Sequence, residues 1–173
     1  EEKKSIGRIQ TGSSENVTVN TGILNIGEAS GVPVIEKLIN KDKKEDFTVI
    51  DCPPGSSCVV MESIKDADYC ILVAEPTIFG AHNLSMVYEL VTLFGKKCGV
   101  VLNKCLEGEN PSEKFCLQKG LNILEKIPFS SQLGTLNSTG KIAAREDQAY
   151  RQLFINLLDK VTKEVQDETA VNS

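Results

Sequence analysis

The sequence predicts an α/β fold, a mostly parallel sheet flanked by helices with a short β-hairpin ahead of it. Two observations carry the prediction. Short β-branched runs alternate with stretches whose apolar residues recur at helical spacing, which is the order of βαβ units. The runs at 69–74 (YCILVA) and 98–102 (CGVVL) are apolar at almost every position, as strands of a sheet buried on both faces are. At 173 residues and 40% hydrophobic content the chain is long enough to bury a core without disulfides or metal, so one domain over 1–173 is expected.

Along the chain, 6–10 and 16–20 read as two strands joined by a polar turn at 11–15, a hairpin within residues 1–21. Pro33 stands where a first-turn proline is tolerated, and Ile35, Leu38 and Ile39 form a short helical stripe ending at the charged residues 41–46. Residues 47–51 (FTVID) read as a strand before the strand at 69–74. Leu84, Val87, Tyr88, Val91 and Phe94 then mark a helix, followed by strands at 98–102 and 123–127. Tyr150, Leu153, Phe154, Leu157, Leu158, Val161 and Val165 mark a last helix, with a frayed tail over 167–173.

Composition excludes several classes. The net charge is −5, the isoelectric point lies near 5.0, and no Lys/Arg cluster occurs, so a dedicated nucleic-acid surface is not expected. No apolar run approaches the roughly 20 residues of a membrane span, and no signal peptide is visible. Six cysteines at 52, 58, 70, 98, 105 and 116 match no zinc-finger or ferredoxin spacing, so reduced thiols in a cytoplasmic protein are expected. Cys52 and Cys58 flank a proline-rich turn; a structural role is expected for them ahead of a redox or metal role. His82, at the start of a helix, is expected to cap it or face solvent.

In an open parallel sheet, ligands gather beyond the carboxyl ends of the strands. Four such ends carry polar or turn-forming residues: Asp51-Cys52-Pro53-Pro54-Gly55, Glu75-Pro76-Thr77, Asn103-Lys104 and Pro128-Phe129-Ser130. A carboxylate that closes a buried strand is costly to desolvate without a partner, and a hydrated Mg²⁺ is one. The Pro-Pro-Gly turn would stiffen a loop whose N–H groups can face an anion. Asn103 brings an amide donor and acceptor suited to a purine edge.

These segments, in this order, resemble the motifs of the MinD/ParA/Mrp group of deviant P-loop ATPases, most of all the MinD-superfamily ATPases with an inserted ferredoxin domain. The resemblance runs from about residue 22 to 158. It implies a P-loop NTPase-like sheet, ATP-dependent dimerisation or switching, and ATP or ADP with Mg²⁺ as the ligands of the intact parent. It also implies Asp51 as the catalytic switch residue and water-mediated Mg²⁺ ligand, with Pro53, Pro54 and Gly55 beside it. Asn103 and Lys104 would meet adenine, and the backbone at Pro128, Phe129 and Ser130 would close over the base. Leu106 stands where guanine-specific Asn-Lys-x-Asp motifs need an aspartate, which favours adenine. A homodimer and an iron–sulfur or redox partner protein are further implications for the parent.

One family element is missing from these residues. A phosphate loop needs wrapping glycines followed by Lys and Ser/Thr, and neither Gly95-Lys96 nor Gly140-Lys141 continues that way. The expectation is therefore the part of a MinD-type ATPase that follows the ferredoxin insert, incomplete at its N-terminal side and inactive alone. The alternative is a non-catalytic pseudo-ATPase scaffold or protein-binding module.

Overall fold

The computed structural model describes residues 5–40 and 46–169, and its contacts divide the chain into two compact units, Glu1–Ala67 and Asp68–Ser173. In the first unit, β1 (Gly7–Ser14) pairs antiparallel with β2 (Val17–Leu24), in register from Gly7 opposite Leu24 to Ser14 opposite Val17. The strands are longer and the turn tighter than expected, since only Glu15 and Asn16 connect them and Glu15 takes φ +55°. Thr11, Gly12 and Ser13 belong to β1. Most of the ribbon's side chains are exposed, so no apolar face selects against polar residues and turn-like composition misplaces the turn.

An isolated two-stranded ribbon is marginal in water, and α1 (Val32–Ile39) gives this one a partner. Pro33 occupies its first turn as expected. A Cβ added at Gly22 would lie 2.8 Å from Val34 Cγ1, so the buried Val34 rests on bare ribbon backbone. α2 (Cys58–Ile64), not anticipated from sequence, buries Val60 and Ile64.

The expected strand at 47–51 is not found: these residues join no ladder, and Phe47 and Val49 are 63% and 88% exposed. Alternation of apolar residues makes a segment fit a sheet, but a strand exists only where a neighbouring strand takes up its N–H and C=O groups.

In the second unit, β3 (Tyr69–Ala74), β4 (Lys97–Cys105) and β5 (Ile123–Pro128) form a parallel sheet in the order β3-β4-β5. Central β4 buries Gly99 to Leu102 without a break, as its continuous apolar run requires. α3 (Ile78–Leu93) lies against β3 and β4, and α4 (Pro111–Lys119) against β4 and α3, where Tyr88 and Phe115 meet edge to face at 6.1 Å. After α5 (Ser131–Ser138) and α6 (Ala143–Glu146), the long α7 (Gln148–Thr169) lays Leu153, Leu157 and Val161 over Val101, Leu124 and Ile127. Of the tail expected over 167–173, α7 takes in positions up to Thr169, and residues 170–173 lie outside those described.

Polar contacts fix the register of α7. Tyr69 Oη and Asn122 Nδ2 both donate to the Glu164 carboxylate, and Lys160 Nζ donates to Leu124 O at 2.6 Å and pairs with Glu125 at 3.0 Å. Burial, then the Glu164 hydrogen bond, push the Tyr69 phenol well above its ordinary pKa.

The unanticipated α4 has a readable signature. Asn110 Oδ1 accepts from Glu113 N at 3.1 Å, Pro111 opens the helix and Gly120 closes it at φ +65°. Asn110→Ala is expected to lower stability by about 1 kcal/mol, read as a reduced thermal midpoint with unchanged helix content. Among the described residues, no helix is long and apolar enough to cross a membrane.

Candidate functional site

The carboxyl ends of β3, β4 and β5 lie side by side, and most of the candidate residues of the second unit collect there. At the end of β3 the chain turns through Glu75-Pro76-Thr77 into α3. Thr77 Oγ1 caps that helix by accepting from Gly80 N at 2.9 Å. The Glu75 carbonyl accepts from Thr77 N at 2.8 Å and from Ser112 Oγ at 2.6 Å, and Ser112 is fully buried. The start of α4 is thereby tied to the end of β3.

At the end of β4, Asn103 Oδ1 accepts from the Lys104 backbone N–H at 2.9 Å. No other hydrogen bond to the Asn103 side chain is found among the described residues, so its Nδ2 donor and a second Oδ1 lone pair are left uncommitted. Lys104 takes φ +56°, a conformation that costs a non-glycine residue on the order of 1 kcal/mol. Its ammonium reaches Glu75 Oε1 at 2.6 Å. Both side chains are about half exposed, so the pair contributes little to stability.

At the end of β5, Pro128 stands opposite Cys105, and Phe129 N donates to Cys105 O at 2.9 Å. Ser130 opens α5 as its cap: its Oγ accepts from Leu133 N at 3.1 Å and from Tyr150 Oη at 2.8 Å. Phe129 itself is exposed. The Cys105 thiol is pushed up, chiefly by burial, with Lys126 opposing and Glu113 adding to the shift, so it stays protonated and a poor nucleophile at neutral pH.

Asn103, Lys104, Pro128, Phe129 and Ser130 are therefore neighbours along one edge. Sequence reasoning missed the Glu75–Lys104 pair, the buried Ser112 and the Tyr150 hydroxyl. By spacing Tyr150 belongs to the apolar stripe of the last helix, yet its hydroxyl holds the loop after β5. A buried Ser at the second position of α4 leaves no mark in hydropathy.

Asp51, Pro53, Pro54 and Gly55 lie on one loop of the first unit, ahead of α2. Gly55 has φ +95°, a conformation that suits glycine. Asp51 was expected to close a buried strand. It stands exposed in irregular chain, so water solvates its carboxylate and no partner is demanded by burial. Beside it the Cys52 thiol is half-buried and pushed up, first by burial and then by Asp51, against a lowering contribution from Ser63. None of the six cysteines is in a disulfide, and no group of three His, Cys, Asp or Glu among the described residues is arranged to hold a metal ion. His82 is exposed on α3, whose cap is Thr77.

No family model matches the chain. The uncharacterized protein MJ0578 of Methanocaldococcus jannaschii is 26% identical over 142 residues, which are 76% of this chain and 49% of that protein. The uncharacterized protein MJ0579 of the same organism is 28% identical over 104 residues, 59% of this chain and 39% of that protein. The chain thus spans half the length or less of these curated relatives. Among solved structures, the MinD cell division protein of Aquifex aeolicus aligns with a TM-score of 0.63 at 16% identity, over 76% of this chain and 61% of that one. A parallel α/β sheet with its polar residues gathered at the carboxyl edge, and that structural likeness, make the fold of this chain MinD-like.

Proposed function

We propose that this chain is the later portion of a MinD-type ATPase, whose intact parent binds and hydrolyses ATP. The observation that carries the reading is the neighbouring of Asn103-Lys104 and Pro128-Phe129-Ser130 at the carboxyl edge of a MinD-like sheet. Asn103 has the hydrogen-bonding capacity an adenine edge needs: Nδ2 to donate to a ring nitrogen and a spare Oδ1 lone pair for the exocyclic amine. Leu106 offers no acceptor for the two guanine donors. In this reading the backbone after β5, held by Phe129 N to Cys105 O and by the Tyr150–Ser130 bond, closes over the base.

Asp51 fits the part of a carboxylate that holds a hydrated Mg²⁺ through water, since it is exposed and sits beside a turn with Gly55 at positive φ. When bound, Mg²⁺ neutralises charge on the phosphates. Electrostatic clamping of the transferred phosphoryl group also needs a lysine-bearing glycine loop, and these 173 residues contain none. In this reading the loop comes from the remainder of the parent, which also supplies the contacts for dimerisation and any coupling to an iron–sulfur or redox protein.

The test is steady-state hydrolysis with ATP and Mg²⁺. The chain alone is expected to show no turnover above background, and the longer polypeptide that contains it to turn over ATP and to discriminate against GTP. Asn103→Ala in that polypeptide is expected to raise KM for ATP about tenfold with little change in melting temperature. Turnover by the chain alone, or equal use of ATP and GTP, sinks the reading. A longer polypeptide with no affinity for nucleotide would favour the scaffold alternative.

A further inference from the structure

β4 carries an extra residue where the candidate site begins. Leu102 stands opposite Lys126 and Cys105 opposite Pro128, so β4 takes three steps where β5 takes two, and the surplus is taken up at Asn103-Lys104. A bulge of this kind interrupts the ladder and re-aims a side chain, and bulges gather beside functional sites. The common form keeps its first residue near the right-handed helical region, and the form that uses positive φ places glycine there. Here it is Lys104 that takes φ +56°. Pairing with β5 demands an extra residue but not a lysine in the left-handed region, so contacts outside the ladder must select that conformation.

Lys104 makes two such contacts. Its backbone N–H donates to Asn103 Oδ1 at 2.9 Å, which ties the bulge to the orientation of the Asn103 amide. Its ammonium reaches from β4 to the end of β3, where Glu75 Oε1 lies at 2.6 Å. Glu75 is a firm anchor, because its carbonyl accepts from Thr77 N at 2.8 Å and from the buried Ser112 hydroxyl at 2.6 Å. A neutral hydrogen bond and a half-exposed ion pair are each of the same order as the cost of positive φ for a residue with a Cβ, so loss of either is enough to shift the population.

We infer that Glu75 is a positioning residue: through Lys104 it holds the bulge, and with it the Asn103 amide, in the form that reads the base. The role in base reading rests on the ATPase proposal, whereas the hold on the bulge does not, and the experiment has an arm for each. In the first, scalar couplings that report φ at residue 104 are measured by NMR on the 173-residue chain without nucleotide. Glu75→Ala is expected to move about half or more of the molecules to negative φ and to shift the Asn103 side-chain amide signals, with the melting temperature changed by less than about 2 °C. In the second arm, in the longer polypeptide, Glu75→Ala is expected to raise KM for ATP about fivefold with kcat little changed, and to add nothing in an Asn103→Ala background.

Glycine takes positive φ without help from a side chain, so in a Lys104→Gly background Glu75→Ala is expected to move neither the Asn103 amide signals nor KM. Unchanged couplings at Lys104 in Glu75→Ala overturn the inference whatever the longer polypeptide does with ATP. So does an equal effect of Glu75→Ala in the Lys104→Gly background. An opened bulge with KM for ATP unmoved overturns the role in base reading. An opened bulge together with a longer polypeptide that has no affinity for nucleotide sinks the ATPase proposal and leaves Glu75 as the residue that holds the bulge.

Discussion

Leu124→Ala is expected to lower the unfolding free energy by about 2–5 kcal/mol, measured by guanidinium denaturation with the slope of the transition unchanged. Leu124 is 2% exposed and sits with Val101 and Ile127 under Leu153, Leu157 and Val161, at the join between sheet and α7. Truncation leaves a cavity that cannot readily close, because α7 is held in place by polar contacts as well as by packing. Lys160 donates to the backbone carbonyl of Leu124 itself, and Glu164 is gripped by Tyr69 and Asn122. The neighbouring Gly99 makes the expectation sharper. A Cβ there would lie 2.7 Å from Leu124 Cγ and 2.5 Å from the Tyr69 hydroxyl oxygen, so Gly99→Ala alone is expected to cost about 1–3 kcal/mol by overpacking. The double variant is expected to fall short of the summed single costs by about 0.5 kcal/mol or more, since Leu124→Ala removes one of the two clashes. Strict additivity would mean that Gly99 and Leu124 do not face each other.

What could be read from the sequence follows from what hydropathy encodes. β4 was legible because a strand buried on both faces is apolar throughout, and β3 was placed to the residue because its run is equally apolar, although Ile71 and Val73 are exposed on one face. That β3 stands at an edge was not legible, since composition records the environment a strand is suited to rather than which neighbours are present. Residues 47–51 failed on the same ground: Phe47 and Val49 alternate as a strand should, yet no ladder forms. The hairpin turn was misplaced because Thr11, Gly12 and Ser13 have turn chemistry on a ribbon with no buried face to contradict it. α4 is hidden although its Asn-Pro-Ser-Glu opening and Gly120 close are helix-boundary signals, because it is mostly polar and carries no apolar stripe. At the candidate site, the order of strand ends located Asn103 and Ser130. It did not give the Glu75–Lys104 pair, which depends on which ends the sheet brings side by side.

Gly80→Ala is the other large expected effect, and its sign contradicts helix propensity. In an exposed helix, alanine is better than glycine by roughly 1 kcal/mol. Here a Cβ would lie 2.3 Å from the Glu75 carbonyl oxygen and 3.1 Å from Thr77 Oγ1, and neither is the free end of a flexible side chain. The carbonyl is held by Thr77 N and by the fully buried Ser112 hydroxyl, and Thr77 Oγ1 is held by Gly80 N. Relief therefore requires the end of β3 to move. That strips the Ser112 hydroxyl of its acceptor and opens the α3 cap, so a net loss of about 3 kcal/mol is expected. Ser112→Ala removes a single hydrogen bond and leaves the Glu75 carbonyl bonded to Thr77 N, and is expected to cost only about 1 kcal/mol. Thermal and guanidinium unfolding of the two variants decide the matter: a Gly80→Ala protein as stable as the parent would show that the β3–α3 turn can yield, and with it the spacing that sets Glu75 against Lys104.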